Sequence, residues 1–168
     1  MHLSLTLIYL YRLSCIDLKV ENILFDLRRA VLADFGIAVR ETEAAAKGAG
    51  GTLGYLSPEV YLHGYQTKES DVYALGVVLW ALVTGSRPHY GFHDTRALLA
   101  YMAMGFWFAW PNEVHAYGGN LVALVERCCH VDPSQRPSAR HVADDLLQIA
   151  ELLRAQCSED ELEAAWGG

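Results

Sequence analysis

A chain of 168 residues is the size of one domain and can bury a substantial core. Its net charge of -7 argues against non-specific binding to nucleic acid and against attachment to an anionic membrane surface. A hydrophobic content of 52% is high for a chain of this size and points to an apolar face meant for a partner.

Residues 1–16, MHLSLTLIYLYRLSCI, carry an apolar run with no basic cluster before it and no clean small-residue cleavage site after it. They read as the end of an amphipathic or buried helix leading into a loop, and no segment reads as membrane-spanning. A charged loop over 15–22 follows. Residues 23–25 and 30–33 then read as two short strands joined by a turn over 26–29, a small hairpin. Asp34-Phe35-Gly36 comes directly after it. Residues 37–51 hold Arg40, Glu41, Glu43, Lys47, a triple alanine and three glycines, a composition that suits a mobile surface segment.

Order resumes at 54–59, where Ser57-Pro58 marks a helix or turn boundary. The stretch 71–85, DVYALGVVLWALVTG, opens on the capping-type Asp71 and is almost wholly apolar up to a Thr-Gly stop. A helix apolar on every side cannot lie on a surface, so this one is expected to be the buried axis of the domain. It is too short for a bilayer, which needs about 20 apolar residues. Residues 95–104 follow a helical pattern with Asp94 as cap, and the aromatic cluster 106–111 is placed in a surface groove or packed loop. Leu121, Leu124, Val125 and Cys128 share helical spacing ahead of a turn at 130–133. A last helix begins near Ser138 and presents Val142, Leu146, Ile149 and Leu153 on one face. The acidic tail 158–168 reads as frayed and flexible, which leaves one domain over 1–157. Cys15, Cys128, Cys129 and Cys157 have no metal-binding or redox spacing, so a reducing, cytoplasmic setting is expected.

Chemistry concentrates beside the hairpin. A hairpin can bring Asn22 at its start close to Asp34 at its end, giving two hard oxygen ligands of the kind that hold Mg²⁺ with waters and substrate phosphates. Asp17 would then be free to orient a hydroxyl, and Lys19 to neutralise charge on a transferred phosphoryl group. Each residue alone is more often just a solvated loop residue; their order along the chain changes the weighting.

Asp-Leu-Lys-x-x-Asn at 17–22, Asp-Phe-Gly at 34–36, Ser-Pro-Glu at 57–59, the run 71–85 and Asp-Pro-Ser-Gln-Arg-Pro at 132–137 occur in the order of the eukaryotic protein-kinase motifs. The chain therefore resembles the large C-terminal lobe of a protein kinase, closest in wording to the tyrosine-kinase-like and receptor-like serine/threonine branch. The resemblance implies a mainly α fold with a small β-hairpin at the catalytic loop, and transfer of the ATP γ-phosphoryl group to serine or threonine hydroxyls of proteins. It makes Asp17 the catalytic-loop aspartate and Lys19 its serine/threonine-type lysine. It also makes Asn22 and Asp34 the Mg²⁺ ligands and places Leu24 under the adenine of ATP. Thr52 would close the peptide-binding segment against Asp17 and Lys19. Phe35 packs behind the metal site with Gly36 after it, Glu59 pairs with Arg136, and Asp71 caps the catalytic loop from below.

The departures carry as much meaning. Cys15-Ile16 stands where the family has His-Arg, so control through a phosphorylated activation segment is in doubt. The approach from Tyr11 to Cys15 is compressed, where the family keeps a longer linker and a short strand. No glycine-rich phosphate loop precedes the first lysine, Lys19, so the small N-terminal lobe is expected to be absent and the ATP pocket to have a floor and no roof. Two functions follow: a kinase fragment with weak or no activity of its own, or a non-catalytic kinase-like module binding a protein through its exposed lobe face. An unrelated helical domain with chance motifs is the third.

Overall fold

The computed structural model describes residues 13–14, 17–26, 29–34, 39–40, 51–64, 66–88, 94–103, 110–111 and 119–156. Among them the chain is mainly helical, with two short antiparallel strand pairs and no large β-sheet.

The longest apolar run forms helix α2, Lys68–Thr84, after the short α1, Pro58–His63. Side chains from Ser70 to Ala81 are all buried, so α2 is the axis of the core rather than a surface helix. Its start lies upstream of the sequence expectation. Thr67, not Asp71, is the cap: its hydroxyl accepts the Ser70 amide while the Ser70 hydroxyl accepts the Thr67 amide. Asp71 is instead buried within the first turn. Reading the boundary from the onset of apolar residues misplaced it, because a reciprocal cap made by two small polar residues leaves no mark on the hydrophobic pattern. Gly85 ends the helix in the left-handed conformation, with φ of 64°.

The other helices assemble around α2. Helix α3, Thr95–Ala103, starts where the Asp94 carboxylate accepts the Arg96 amide at 2.9 Å. Helix α4, Gly119–Cys128, turns Leu121, Leu124, Val125 and Cys128 into the core and packs along α2. Helix α5, Ala139–Gln156, lies against α4 and buries Val142 and Ile149. The α2–α4 contact is close at Gly76, where an added Cβ would stand 2.7 Å from the Cys128 Cβ and collide with the Cys129 sulfur. Cys129 donates its thiol to the Tyr73 carbonyl at 3.3 Å. Among the described residues no helix is long and apolar enough to cross a membrane.

Two strand pairs complete the described structure. Strands β2, Ile23–Asp26, and β3, Arg29–Leu32, form the expected hairpin, pairing Ile23 with Leu32 and Leu24 with Val31. Strand β1, Leu13–Ser14, pairs with β4, Val39–Arg40. This second pair corrects two expectations: a short strand does precede the catalytic loop, and residues 39–40 form a paired strand. Two-residue strands are too short to show a period, so the pattern of the chain could not display them. The expectations for the first twelve residues, for 106–109 and for the acidic tail lie outside the described residues.

Candidate active site

Leu18 is buried, so its neighbours Asp17 and Lys19 are held at the surface of the core. A single 3₁₀ turn, Val20–Asn22, then folds the chain back. The Asn22 amide donates to the Lys19 carbonyl at 3.1 Å, and its side-chain Nδ2 donates to the Asp17 carbonyl at 2.8 Å. Asn22 thereby locks the loop that presents Asp17.

Thr52, thirty-five residues away in sequence, closes the group. Its Oγ1 donates to Asp17 Oδ1 at 2.6 Å and accepts from Lys19 Nζ at 3.1 Å, while Lys19 Nζ reaches Asp17 Oδ2 at 2.5 Å. Both carboxylate oxygens are thus held by donors on separate sides. Partial burial works to raise the Asp17 carboxyl, but the hydrogen bonds from Lys19 and Thr52 and the Lys19 charge outweigh it and leave the group below the usual carboxylate range. The Asp17 hydrogen bond raises Lys19 in turn, against its own desolvation, and the charges of Asp17, Glu21 and Asp34 add to the rise.

The hairpin delivers the remaining groups. The Ala33 amide donates to the Asn22 carbonyl at 2.7 Å, extending the strand ladder by one step. Asp34 therefore follows immediately beside Asn22, as the hairpin argument requires. Its φ of 60° is a left-handed conformation that few residues other than glycine adopt, although aspartate tolerates it better than most. Leu24 and Val31, paired across the strands, are 56% and 39% exposed, whereas Leu32 on the other face is buried. The hairpin presents an apolar outer face beside Asn22 and Asp34.

Beneath this surface Arg136, with a fully buried side chain, meets Glu59 in a two-pronged pair of 2.6 and 2.8 Å. The guanidinium also donates to the carbonyls of Glu69 and His130, and it lies 5.0 Å from the centre of the Tyr73 ring. Burial would raise Glu59, but the Arg136 hydrogen bonds and charge hold it below its ordinary value.

A family model described as the protein kinase domain matches residues 1–147. This chain belongs to the protein kinase domain family. It is 33% identical over 135 residues to Serine/threonine-protein kinase STY17 of Arabidopsis thaliana, covering 79% of this chain and 23% of that protein. It is 32% identical over 146 residues to Probable serine/threonine-protein kinase drkB of Dictyostelium discoideum, covering 86% of this chain and 20% of that protein. Ankyrin repeat and protein kinase domain-containing protein 1 of Mus musculus is 29% identical over 165 residues, 89% of this chain and 22% of that protein. The chain spans only 20–23% of the length of these relatives.

Within this kinase domain, the structure brings Asp17, Lys19, Asn22 and Thr52 together, sets Asp34 beside them, exposes Leu24 on the hairpin and pairs Glu59 with Arg136. Asp71 is buried in the first turn of α2, a helix that contacts the Val20–Asn22 turn. Cys15, Ile16, Phe35 and Gly36 lie outside the described residues, and so do the expectations placed on them. Among the described residues no cluster of three His, Cys, Asp or Glu side chains could hold a metal by itself. The amide oxygen of Asn22 and the carboxylate of Asp34 make a two-ligand set that suits a hard cation completed by waters and phosphate oxygens. Sequence reasoning missed the support of the ion pair by Tyr73 and by Ser70, whose hydroxyl donates to Glu59 at 3.1 Å. Tyr73 sits in an almost wholly apolar stretch, where pattern signals burial but not the partner, and Ser70 lies between Glu69 and Asp71, where nothing in the pattern marks it. It also missed the Tyr61 hydroxyl, which accepts the Gly54 amide at 3.3 Å and anchors the segment that carries Thr52.

Proposed function

We propose that this domain contributes the catalytic loop and metal-ligand half of an ATP-dependent protein serine/threonine kinase site. The observation that carries the reading is the Asp17–Lys19–Thr52 contact, which joins two distant segments around one carboxylate. Asp17 is the residue that receives the substrate hydroxyl. Held below the usual carboxylate range, it is fully ionised at neutral pH, and each oxygen keeps lone-pair capacity beyond the bond it already accepts. A base this weak orients the hydroxyl and takes its proton late, when the new oxygen–phosphorus bond is largely made. Lys19 places a fixed positive charge beside the transferred group, and Thr52 aligns the peptide segment against both. Asn22 and Asp34 would hold Mg²⁺, which supplies neutralisation of the ATP phosphate oxygens. Leu24 and Val31 would form the apolar floor for the adenine.

These 168 residues contain no glycine-rich phosphate loop and no lysine before Lys19, so the stretch alone is expected to show weak or no turnover. The test uses the endogenous protein captured through its C-terminal region, at whatever length the cell makes it. ATP-dependent phosphorylation of a general protein substrate is expected, with Asp17→Asn and Asp34→Ala each lowering kcat by at least about 100-fold. Activity unchanged in both variants would overturn the assignment.

The apolar hairpin face favours a second reading, a non-catalytic module that binds a protein partner there. Under that reading the wild-type protein shows no turnover, Leu24→Ser with Val31→Ser abolishes partner capture, and Asp17→Asn leaves capture intact.

A further inference from the structure

Thr52, which donates to Asp17 at 2.6 Å, is the first residue of a four-residue turn. Its carbonyl accepts the Tyr55 amide at 3.1 Å, and Gly54 at the third position has φ of 97°, the region that a turn of this kind requires of glycine. Tyr55 is buried, whereas Leu53 at the tip is 46% exposed. On its inner side the corner is pressed against the chain leaving α2, because a Cβ on Gly54 would stand 3.1 Å from the Pro88 carbonyl oxygen.

Helix α1 supplies a second hold. The Glu59–Arg136 pair and the fully buried Val60 fix that helix to the core. The next residue, Tyr61, packs its ring against the core, and its hydroxyl accepts the Gly54 amide at 3.3 Å. Burial pushes the Tyr61 phenol above its ordinary value, so the hydroxyl stays neutral around pH 7 and keeps this bond. A line of contacts thus runs from the core through α1, Tyr61 and Gly54 to Thr52 and Asp17.

We propose that Tyr61 is a positioning residue for the phosphoryl-acceptor site: by holding the Gly54 corner it sets where Thr52 meets Asp17 and Lys19, and so how firmly the substrate segment is held. This role in catalysis rests on the kinase reading, whereas the hold on Thr52 stands on the contacts alone.

Tyr61→Phe keeps the ring and deletes only the hydroxyl, and two measurements on it test the role. In the endogenous protein, at whatever length the cell makes it, the KM for a serine-containing peptide should rise about 3- to 10-fold, the range for losing one neutral hydrogen bond, while kcat and the KM for ATP stay at their wild-type values. In the 168-residue chain the Asp17 carboxyl should titrate at a higher pH by carboxyl NMR, because the Thr52 hydrogen bond that helps to hold it low is less firmly placed. Gly54→Ala, which strains the same corner, should move both readouts in the same direction. An Asp17 titration unmoved in Tyr61→Phe would overturn the proposal, and so would a loss of kcat with an unchanged peptide KM. A wild-type protein without turnover would overturn the kinase reading alone, and the Asp17 titration would then decide whether Tyr61 holds Thr52.

Discussion

Asp17 holds its charge at a partly buried position because Lys19 and Thr52 donate to it from two sides. Lys19→Met removes one donor and the nearest positive charge while leaving the burial that opposes ionisation. The Asp17 carboxyl should then titrate at a higher pH than in the wild type, as read by carboxyl NMR; an unmoved midpoint would show that Thr52 alone sets it. Glu59 is a second carboxylate held low, here by Arg136. A group depressed in the folded state stabilises at pH values above its ordinary 4.5, and that contribution is lost as pH falls through the folded value. Wild-type stability should therefore fall as pH drops below this range, and Glu59→Gln should flatten that acid limb. Glu59→Ala leaves a buried guanidinium without its counter-charge, a loss expected to cost about 3–5 kcal/mol in urea unfolding at neutral pH.

Within helix α2 two substitutions separate helix propensity from packing. Gly→Ala inside an ordinary helix gains about 1 kcal/mol. At Gly76 the added methyl would meet Cys128 and Cys129 on the facing helix, and overpacking of this kind costs about 1–3 kcal/mol. The contact is with two buried side chains, so Gly76→Ala should lower the unfolding midpoint despite the better propensity. Thr67→Ala removes half of the capping box and should cost about 1 kcal/mol, with Asp71 in place in both proteins. The helices themselves were legible in advance: Leu121, Leu124, Val125 and Cys128 repeat at helical spacing, and those side chains are the ones buried in α4. The cap at Thr67 and the β1–β4 pair were not. The first is a reciprocal exchange between two hydroxyls, and the second is a two-residue pairing closed only when distant chain segments meet.

Leu18 and Leu32, beside the site, belong to the same buried cluster as Val78 of α2, Leu124 of α4 and Ile149 of α5. The catalytic loop is therefore seated on the main core rather than on a separate one. Tryptophan fluorescence and far-UV circular dichroism should lose their native signals in a single coincident transition. Two separated transitions would show that the surroundings of the tryptophans, Trp80 of α2 among them, unfold apart from the bulk of the helices.

The sequence by itself determined the family, the helical character and the order of the reactive residues, because those rest on local spacing and on motifs read along the chain. It also indicated a hairpin with Asn22 at its start and Asp34 at its end, since a tight hairpin has few ways to close. Tertiary structure alone decided that Thr52 shares one carboxylate with Lys19, that Arg136 is gripped by Glu59 above the Tyr73 ring, and that Gly76 is where two helices touch. Each of these joins segments far apart in the chain. Such contacts depend on the directions in which packed helices and loops point their side chains, and no one-dimensional pattern records those directions.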